Sequence, residues 1–215
     1  MPSTTRRRTL QRVATLLAGV GLAGCSGESS STYPPETTDN VAFDPESHSL
    51  RSSDPGPILW SGDRPTTQPG TDDDARRRHW TTRRFVADAD DAAAISIADV
   101  DGAADARDFL DATDYDAATV YVDQAGIREC FTQDLCHVRW SETEVDTDYA
   151  RYYRDADVAC ETDARDVLVT LIRIPEALDP DDVSSYGSSR GSGTCERSNE
   201  HLRRRRNRSD DGGAR

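Results

Sequence analysis

The residues with the clearest chemistry are five cysteines, since a thiol can form a disulfide, bind a metal or act as a nucleophile. Cys25 stands alone near the start, and four cysteines follow much later: Cys130, Cys136, Cys160 and Cys195. An even number in an exported chain predicts two disulfides. A zinc site usually needs cysteines two to four residues apart. Because "CFTQDLCH" has a five-residue gap, we predict no metal site.

The disulfide pairing depends on the stretch "ECFTQDLCHVRW", which contains Cys130 and Cys136. As one continuous strand rising ~3.3 Å per residue, it would hold these two cysteines ~20 Å apart, too far for a bond. They would then pair with Cys160 and Cys195, and we favour Cys130–Cys160 with Cys136–Cys195. If "FTQDL" is instead a hairpin loop, the pairs become Cys130–Cys136 and Cys160–Cys195.

One stretch has the form of a catalytic motif. "GSSRG", residues 187–191, matches the Gly-x-Ser-x-Gly pattern of α/β-hydrolases, in which Ser189 would be the nucleophile on a sharp strand-to-helix turn. Here the motif lies in a Ser/Gly-rich stretch, and His201 is the only histidine after it. We therefore predict no catalytic site, with a hydrolase using Ser189 or His137 as an alternative. No glycine-rich phosphate loop occurs, so no cofactor is expected.

The residues before Cys25 follow the pattern of an export signal. "TRRRTLQ" resembles the twin-arginine motif through Arg6 and Arg7, with Thr9 where that motif usually has Phe. The apolar run Val13–Gly24 is shorter than the ~20 residues that span a bilayer, which is typical of a cleaved signal. "LAGC" resembles a lipobox, whose cysteine sulfur takes a lipid. We predict that residues 1–24 are removed and that a lipid on Cys25 holds the protein at the outer face of the cytoplasmic membrane.

Aspartate and arginine dominate the charged residues. The chain has 30 Asp, 10 Glu, 26 Arg and no Lys, and its formal net charge is −14. Residues 1–24 hold four Arg and no acid, so their removal gives −14 − 4 = −18. Such a surface stays hydrated where salt is concentrated enough to screen it, and the composition resembles proteins of salt-loving archaea. The same charge argues against binding to nucleic acid.

The remaining chain divides by composition into a domain and its flanks. Residues 25–57 are rich in Ser, Thr, Pro and Asp and predict a disordered tether. Residues 58–79 are expected to hold one short strand, "ILWSG", and a loop. Residues 196–215 carry seven Arg against four acids and predict a disordered basic tail; alternatively this tail binds an acidic partner or an anionic membrane. Residues 80–195 are expected to form the one domain.

Short alternating or β-branched runs within that domain predict strands. They are "WTTRRFVAD", "AAAISIADV", "TDYDAATVYVDQAGI", "ECFTQDLCHVRW" and "DVLVTLIRI". "GAADARDFLDAT" predicts one helix from its apolar spacing, and "IPEALDPDDVSSYGSSRGSG" is expected to lack regular structure. This order indicates a mostly β or α+β domain, with one small antiparallel sheet or sandwich and one helix, flanked by disordered segments.

The domain resembles a family of lipoproteins from halophilic archaea for which no activity is assigned. The resemblance runs from about Arg83 to Cys195 and is carried by "DARDFLDATDYDAATVYV", "IRECFTQDLCHVRW", "DYARYYRDADVAC" and "DVLVTLIRIPEALD". "TVYV" with the later "VTLIRIP" is also similar in arrangement to the small β domain at the end of a bacterial protease-complex subunit. These resemblances imply an anchored, disulfide-bearing, β-rich domain.

The sequence thus predicts a membrane-anchored extracytoplasmic surface lipoprotein with a binding or structural role rather than an enzyme. Its expected partners are membrane lipid, through Cys25, and a protein or small molecule that the residues do not identify. A hydrolase outside the cytoplasm is one alternative. A solute-binding lipoprotein of a transporter is another, although such proteins usually need two lobes and this chain has room for one core.

Overall fold

The structure, a computed structural model, describes residues 40–65 and 82–212. The predicted export and lipidation residues Arg6, Arg7 and Cys25 lie outside the described residues, as does the whole signal of residues 1–24. Residues 26–39 of the predicted tether and 66–79 of the predicted loop lie outside them as well.

Ten strands and three helices follow one another in the described residues. They are β1 (Asn40–Phe43), β2 (Ser47–Ser52), β3 (Leu59–Ser61), β4 (Thr82–Val86), α1 (Ala89–Ala94), β5 (Ile95–Ile97), α2 (Ala103–Asp111), β6 (Thr119–Arg128), β7 (Phe131–Trp140), β8 (Glu144–Tyr153), β9 (Arg165–Ile174), β10 (Ser185–Gly191) and α3 (Cys195–Gly212).

The strands form two four-stranded sheets and one two-stranded sheet. Sheet A has the order β1-β7-β8-β10, and sheet B has the order β2-β9-β6-β4. All neighbouring strands are antiparallel except β8 and β10, which run parallel. Strands β3 and β5 form the small antiparallel sheet. The predicted mostly β fold is confirmed, with three helices in the described residues where the sequence predicted one.

Sheet B is apolar on both faces and separates two cores. Along β6, Val120 and Val122 face one core and Tyr121 faces the other, because side chains alternate along a strand. The first core lies under α1, α2 and the small sheet. The second lies between sheets A and B, where Tyr121 and Ile172 meet Val138 of sheet A. Each fully buried Val or Ile stabilises the fold by about 1.5–3 kcal/mol.

Helix α2 is the helix that the sequence predicted, and it covers sheet B through Ala106 and Leu110. The Arg107 guanidinium on its other side donates to the backbone oxygens of Ala92 and Ile95. These bonds tie α2 to the end of α1 and the start of β5. The helical layer therefore rests on specific backbone contacts as well as on apolar packing.

The prediction of a tether as far as residue 57 is wrong for residues 40–57. Strand β1 is the edge strand of sheet A, and β2 is the edge strand of sheet B. In β2 only Leu50 is a large apolar residue, and it is buried in the first core. An edge strand needs little apolar surface, which explains why composition predicted disorder here.

The short island "ILWSG" belongs to the core. Ile58 and Leu59 are buried, and their backbone amides donate to Gln124 Oε1 at 2.9 and 3.0 Å. Gln124 itself is buried in β6. This one amide side chain thus fixes the start of β3 on sheet B.

The predicted disordered tail and the predicted irregular stretch before it are both partly wrong. Strand β10 lies in the Ser/Gly-rich stretch and pairs along its length with β8. Residues 196–212 of the tail belong to helix α3. No described helix is both long enough and apolar enough to cross a membrane.

Both predicted disulfides are present, in the pairing that the continuous-strand interpretation favoured. Cys130 bonds Cys160, and Cys136 bonds Cys195. Strand β7 runs without interruption from Phe131 to Trp140, with a register shift between Leu135 and His137. The hairpin-loop alternative therefore does not apply.

Candidate anion-binding site

A cleft of about 270 Å³ opens at the end of the sandwich where the chain passes from sheet B to sheet A. Strand β6 ends there at Arg128, and β7 begins at Phe131 in the other sheet. Of the described residues, eight line the cleft, and four of these are arginines. The eight are Gly126, Ile127, Arg128, Phe131, Gln133, Arg151, Arg165 and Arg190. Positive charge is therefore concentrated at one opening of a strongly acidic chain.

The four arginines come from four different strands. Arg128 ends β6 and Arg165 begins β9, and the two residues are direct cross-strand partners in sheet B. Arg151 lies on β8 and Arg190 on β10 in sheet A. Like charges directly opposite each other on a sheet destabilise it, so the pairing of Arg128 with Arg165 costs stability when the cleft holds no anion.

Three of these arginines have no carboxylate partner in the part of the chain that the structure describes. The ion pairs there include Arg190 but not Arg128, Arg151 or Arg165. The whole chain has 40 acidic residues against 26 basic ones, so acids to neutralise these positions are plentiful. Arg128, Arg151 and Arg165 are all exposed.

Below the opening, a buried carboxylate holds the fourth arginine in place. Arg190 Nη2 donates to Asp123 Oδ2 at 2.9 Å, and the Asp123 side chain is 1 % exposed. The Arg190 guanidinium also lies 5.2 Å from the centre of the Tyr149 ring. Arg83 Nε lies 4.0 Å from Asp123 Oδ1, outside hydrogen-bond distance. Asp123 thus fixes Arg190 by a charge-assisted hydrogen bond, which is among the stronger polar contacts.

The Tyr149 side chain lies in the same interior, and its hydroxyl is buried. Burial raises its pKa well above the usual value, and nearby Asp123 raises it further. Asp123 and Thr170 are close enough to affect this pKa, but neither meets hydrogen-bond geometry with the hydroxyl. The Tyr149 hydroxyl therefore stays protonated at neutral pH, with unused hydrogen-bonding capacity.

The wall of the cleft on the sheet A side is held by a second arginine network. Arg51 pairs with Asp166 at 2.5 Å and donates to the backbone oxygens of Phe131 and Glu129. The disulfide from Cys130 anchors the same turn. The backbone of Phe131, which lines the cleft, is therefore held in position.

Ser189 and His137, the predicted alternatives for catalysis, are not among the described cleft residues, and they flank Asp148 in the register of sheet A, Ser189 on β10 and His137 on β7. Ser189 lies in the middle of β10 instead of on a strand-to-helix turn, and alternation places it on the face opposite Arg190. His137 is buried on β7, where Nδ1 is 2.9 Å from Asn199 Oδ1 of α3. Burial lowers the pKa of His137, so the neutral imidazole predominates at neutral pH.

The arrangement can bind anions but offers no metal centre in the described residues. Within them, no group of three or more His, Cys, Asp or Glu side chains is placed to hold a metal ion. The guanidinium groups are hydrogen-bond donors only, and their planar fork fits carboxylate, sulfate and phosphate. An anion in the cleft would also relieve the repulsion between Arg128 and Arg165.

Sequence reasoning missed this site entirely. Arg128 and Arg151 stand in the stretches "GIREC" and "YARYYR", which have no motif spacing. The signal in the sequence was that Arg128 and Arg151 each lie near the end of a predicted strand. No acidic residue stands two positions away from either, on the same face of that strand. That signal becomes specific only when the pairing of the strands is known.

Comparison of the chain with protein-family models, with curated proteins and with solved structures finds no match.

Proposed function

We propose that the protein is a lipid-anchored surface protein, outside the cytoplasmic membrane, whose domain binds an anionic group in the arginine-lined cleft. The observation that carries the binding role is the meeting of Arg128, Arg151 and Arg165 at one opening without a carboxylate partner in the described residues. A binding role is favoured because the described residues that line the cleft are mainly hydrogen-bond donors, with no Ser, Cys, His, Asp or Glu among them.

The proposed location is supported by the order of features before Cys25. A paired arginine, a short apolar run and "LAGC" occur in the sequence in the order expected of an exported lipoprotein. The two disulfides agree with an oxidising compartment, since such bonds are rare in reducing cytosol.

The binding role is tested by titrating inorganic sulfate and acetate into the disulfide-intact protein at constant ionic strength. Binding is followed by the NMR shifts of the arginine Nε–Hε groups. We expect shifts at the cleft arginines, and a loss of affinity of at least about tenfold in Arg165→Gln, because one charge-assisted contact is worth about 1.5 kcal/mol or more.

The matched control is Arg204→Gln, which removes an exposed arginine of α3 that pairs with Glu200. This variant should bind both anions as the unmodified protein does. Equal effects of the two substitutions would mean that net charge alone drives binding, and the proposed site would be rejected. Absence of binding to either anion would also reject it.

A further inference from the structure

We propose that the anion in the cleft is the acid group of a sugar, carboxylated or sulfated, whose ring packs on Tyr153 and Phe131. This inference rests on the proposed anion-binding function and adds the ligand class. It starts from an aromatic pair at the rim, Phe131 and Tyr153, whose ring centres are 4.4 Å apart.

The aromatic pair is continuous with the arginines of the cleft. Phe131 pairs with Tyr153 in the register of β7 and β8, and Gln133 pairs with Arg151 two residues further along. Side chains two residues apart share a face of a strand, so Tyr153 stands beside Arg151 on the cleft side. The Arg151 guanidinium lies 5.5 Å from the centre of the Phe131 ring.

Tyr153 is the more exposed of the two large hydrophobic side chains that are exposed in the described residues, at 71 %. The other, Tyr152, points to the opposite face and donates to Asp134 Oδ2 at 2.9 Å. An exposed tyrosine alone is ordinary. Tyr153, however, is tilted against the cleft residue Phe131, next to an arginine that has no carboxylate partner in the described residues. It therefore presents an apolar surface beside a cationic one, which suits a ring that carries an acid group.

The hydrogen-bonding groups of the cleft suit a sugar acid. The arginines supply N–H donors and no acceptor, and among the described lining residues Gln133 supplies the one side-chain amide oxygen. A sugar acid has acceptor oxygens for the arginines and hydroxyl groups that can donate to that amide oxygen. At about 270 Å³ the cleft lies at the small end of ligand pockets, so it takes one or two rings and not a long polymer segment.

The experiment compares the affinities of five probes for the disulfide-intact protein by calorimetry at one ionic strength. The probes are methyl glucuronide, glucose 6-sulfate, neutral methyl glucoside, inorganic sulfate and adenosine monophosphate. We expect one of the two acidic sugars to bind at least about tenfold more tightly than the neutral sugar and than inorganic sulfate. The acidic sugar that binds identifies the acid group as carboxylate or sulfate.

Tyr153→Ala should weaken binding of that sugar about fivefold or more and leave the affinity for inorganic sulfate within about twofold. Tyr152→Ala is the matched control and should change neither. Equal affinities for acidic sugars and sulfate, or no effect of Tyr153→Ala, would overturn the sugar proposal and leave anion binding intact. Tighter binding of adenosine monophosphate would overturn it in favour of a nucleotide. If no anion binds, the proposed function fails as well.

Discussion

At the scale of single residues, Asp123 holds Arg190, one of the arginines that line the cleft, in position. Its side chain is 1 % exposed, and its closest ionic partner is Arg190, at 2.9 Å. Removing one member of a buried ion pair leaves the other charge without compensation, which costs more than the pair contributes. The position of Arg190 beside the Tyr149 ring therefore follows from the need of this carboxylate for a partner.

We predict that Arg190→Leu lowers the free energy of unfolding by about 2–3 kcal/mol, somewhat less than for fully buried pairs because Arg190 is partly exposed. Denaturant unfolding measures this change. Arg83→Leu is the matched control, since Arg83 Nε lies 4.0 Å from Asp123 Oδ1 and forms no hydrogen bond with it. Its expected cost is about 1 kcal/mol or less. A larger cost for Arg83→Leu would show that Arg190 is not the main partner of Asp123.

Some residue-level features could be predicted from the sequence, and others could not. The four cysteines were recognisable as a disulfide set because their number is even once Cys25 is set aside. Asp123 could not be recognised as buried, because polar Gln124 follows it in β6 and the chain has 29 other aspartates. Burial of a charge depends on a partner that is distant in sequence, here 67 residues away.

At the scale of elements, α3 shows how a polar segment is held on a β domain. Cys195 links its first residue to β7, and Ser198 Oγ donates to Asp148 Oδ1 of β8 at 2.6 Å. Further along, the Arg203 guanidinium lies 4.4 Å from the centre of the Phe43 ring. Composition predicted disorder because α3 has almost no apolar stripe. The disulfide and the two side-chain contacts hold the helix on the sheet instead.

We predict that Cys136→Ala with Cys195→Ala lowers the free energy of unfolding by about 3–4 kcal/mol, as expected for a loop closed over 59 residues. In this variant the amides of α3 should also exchange hydrogen faster, relative to those of the sheets, than they do in the unmodified protein. Denaturant unfolding and native-state hydrogen exchange measure the two effects.

The matched control removes the other disulfide, by Cys130→Ala with Cys160→Ala. Its loop spans 30 residues, so the expected cost is of similar size, about 3–4 kcal/mol. Exchange in α3 should not change in this variant, because the bond lies at the β6–β7 turn. If α3 stays protected in the first pair of substitutions, the disulfide is not what holds the helix.

At the scale of the whole molecule, the charge distribution is uneven in a way that composition hides. A formal net charge of −14 predicts a negative surface, and the exceptions include the cleft with its four arginines and the arginine run of residues 203–206 in α3. Negative charge elsewhere repels long polyanions, which are attracted only where positive charge is extended. A small anion, by contrast, can be held by a local cluster.

The proposed anchoring also concerns the molecule as a whole, and we predict that Cys25→Ser moves the exported protein from the membrane fraction to the soluble fraction. The reason is that a two-chain lipid holds a protein at a bilayer firmly, whereas without it no anchor is expected. Mass measurement of the mature amino terminus shows directly whether Cys25 carries a lipid. Cys130→Ala, which keeps Cys25, is the control. Retention of Cys25→Ser in the membrane would contradict the proposed anchor.

The sequence by itself determined the features that depend on local pattern. The apolar and β-branched runs of β6, β7 and β9 predicted strands, and the 3.6-residue spacing in α2 predicted its helix, because these elements bury regular faces. The tertiary structure alone decided which strands became edges, how α3 was held and where the arginines met. Arg128 and Arg165 become neighbours when β6 pairs with β9, and they come near Arg151 and Arg190 only when the two sheets stack. No local pattern in the sequence predicts either event.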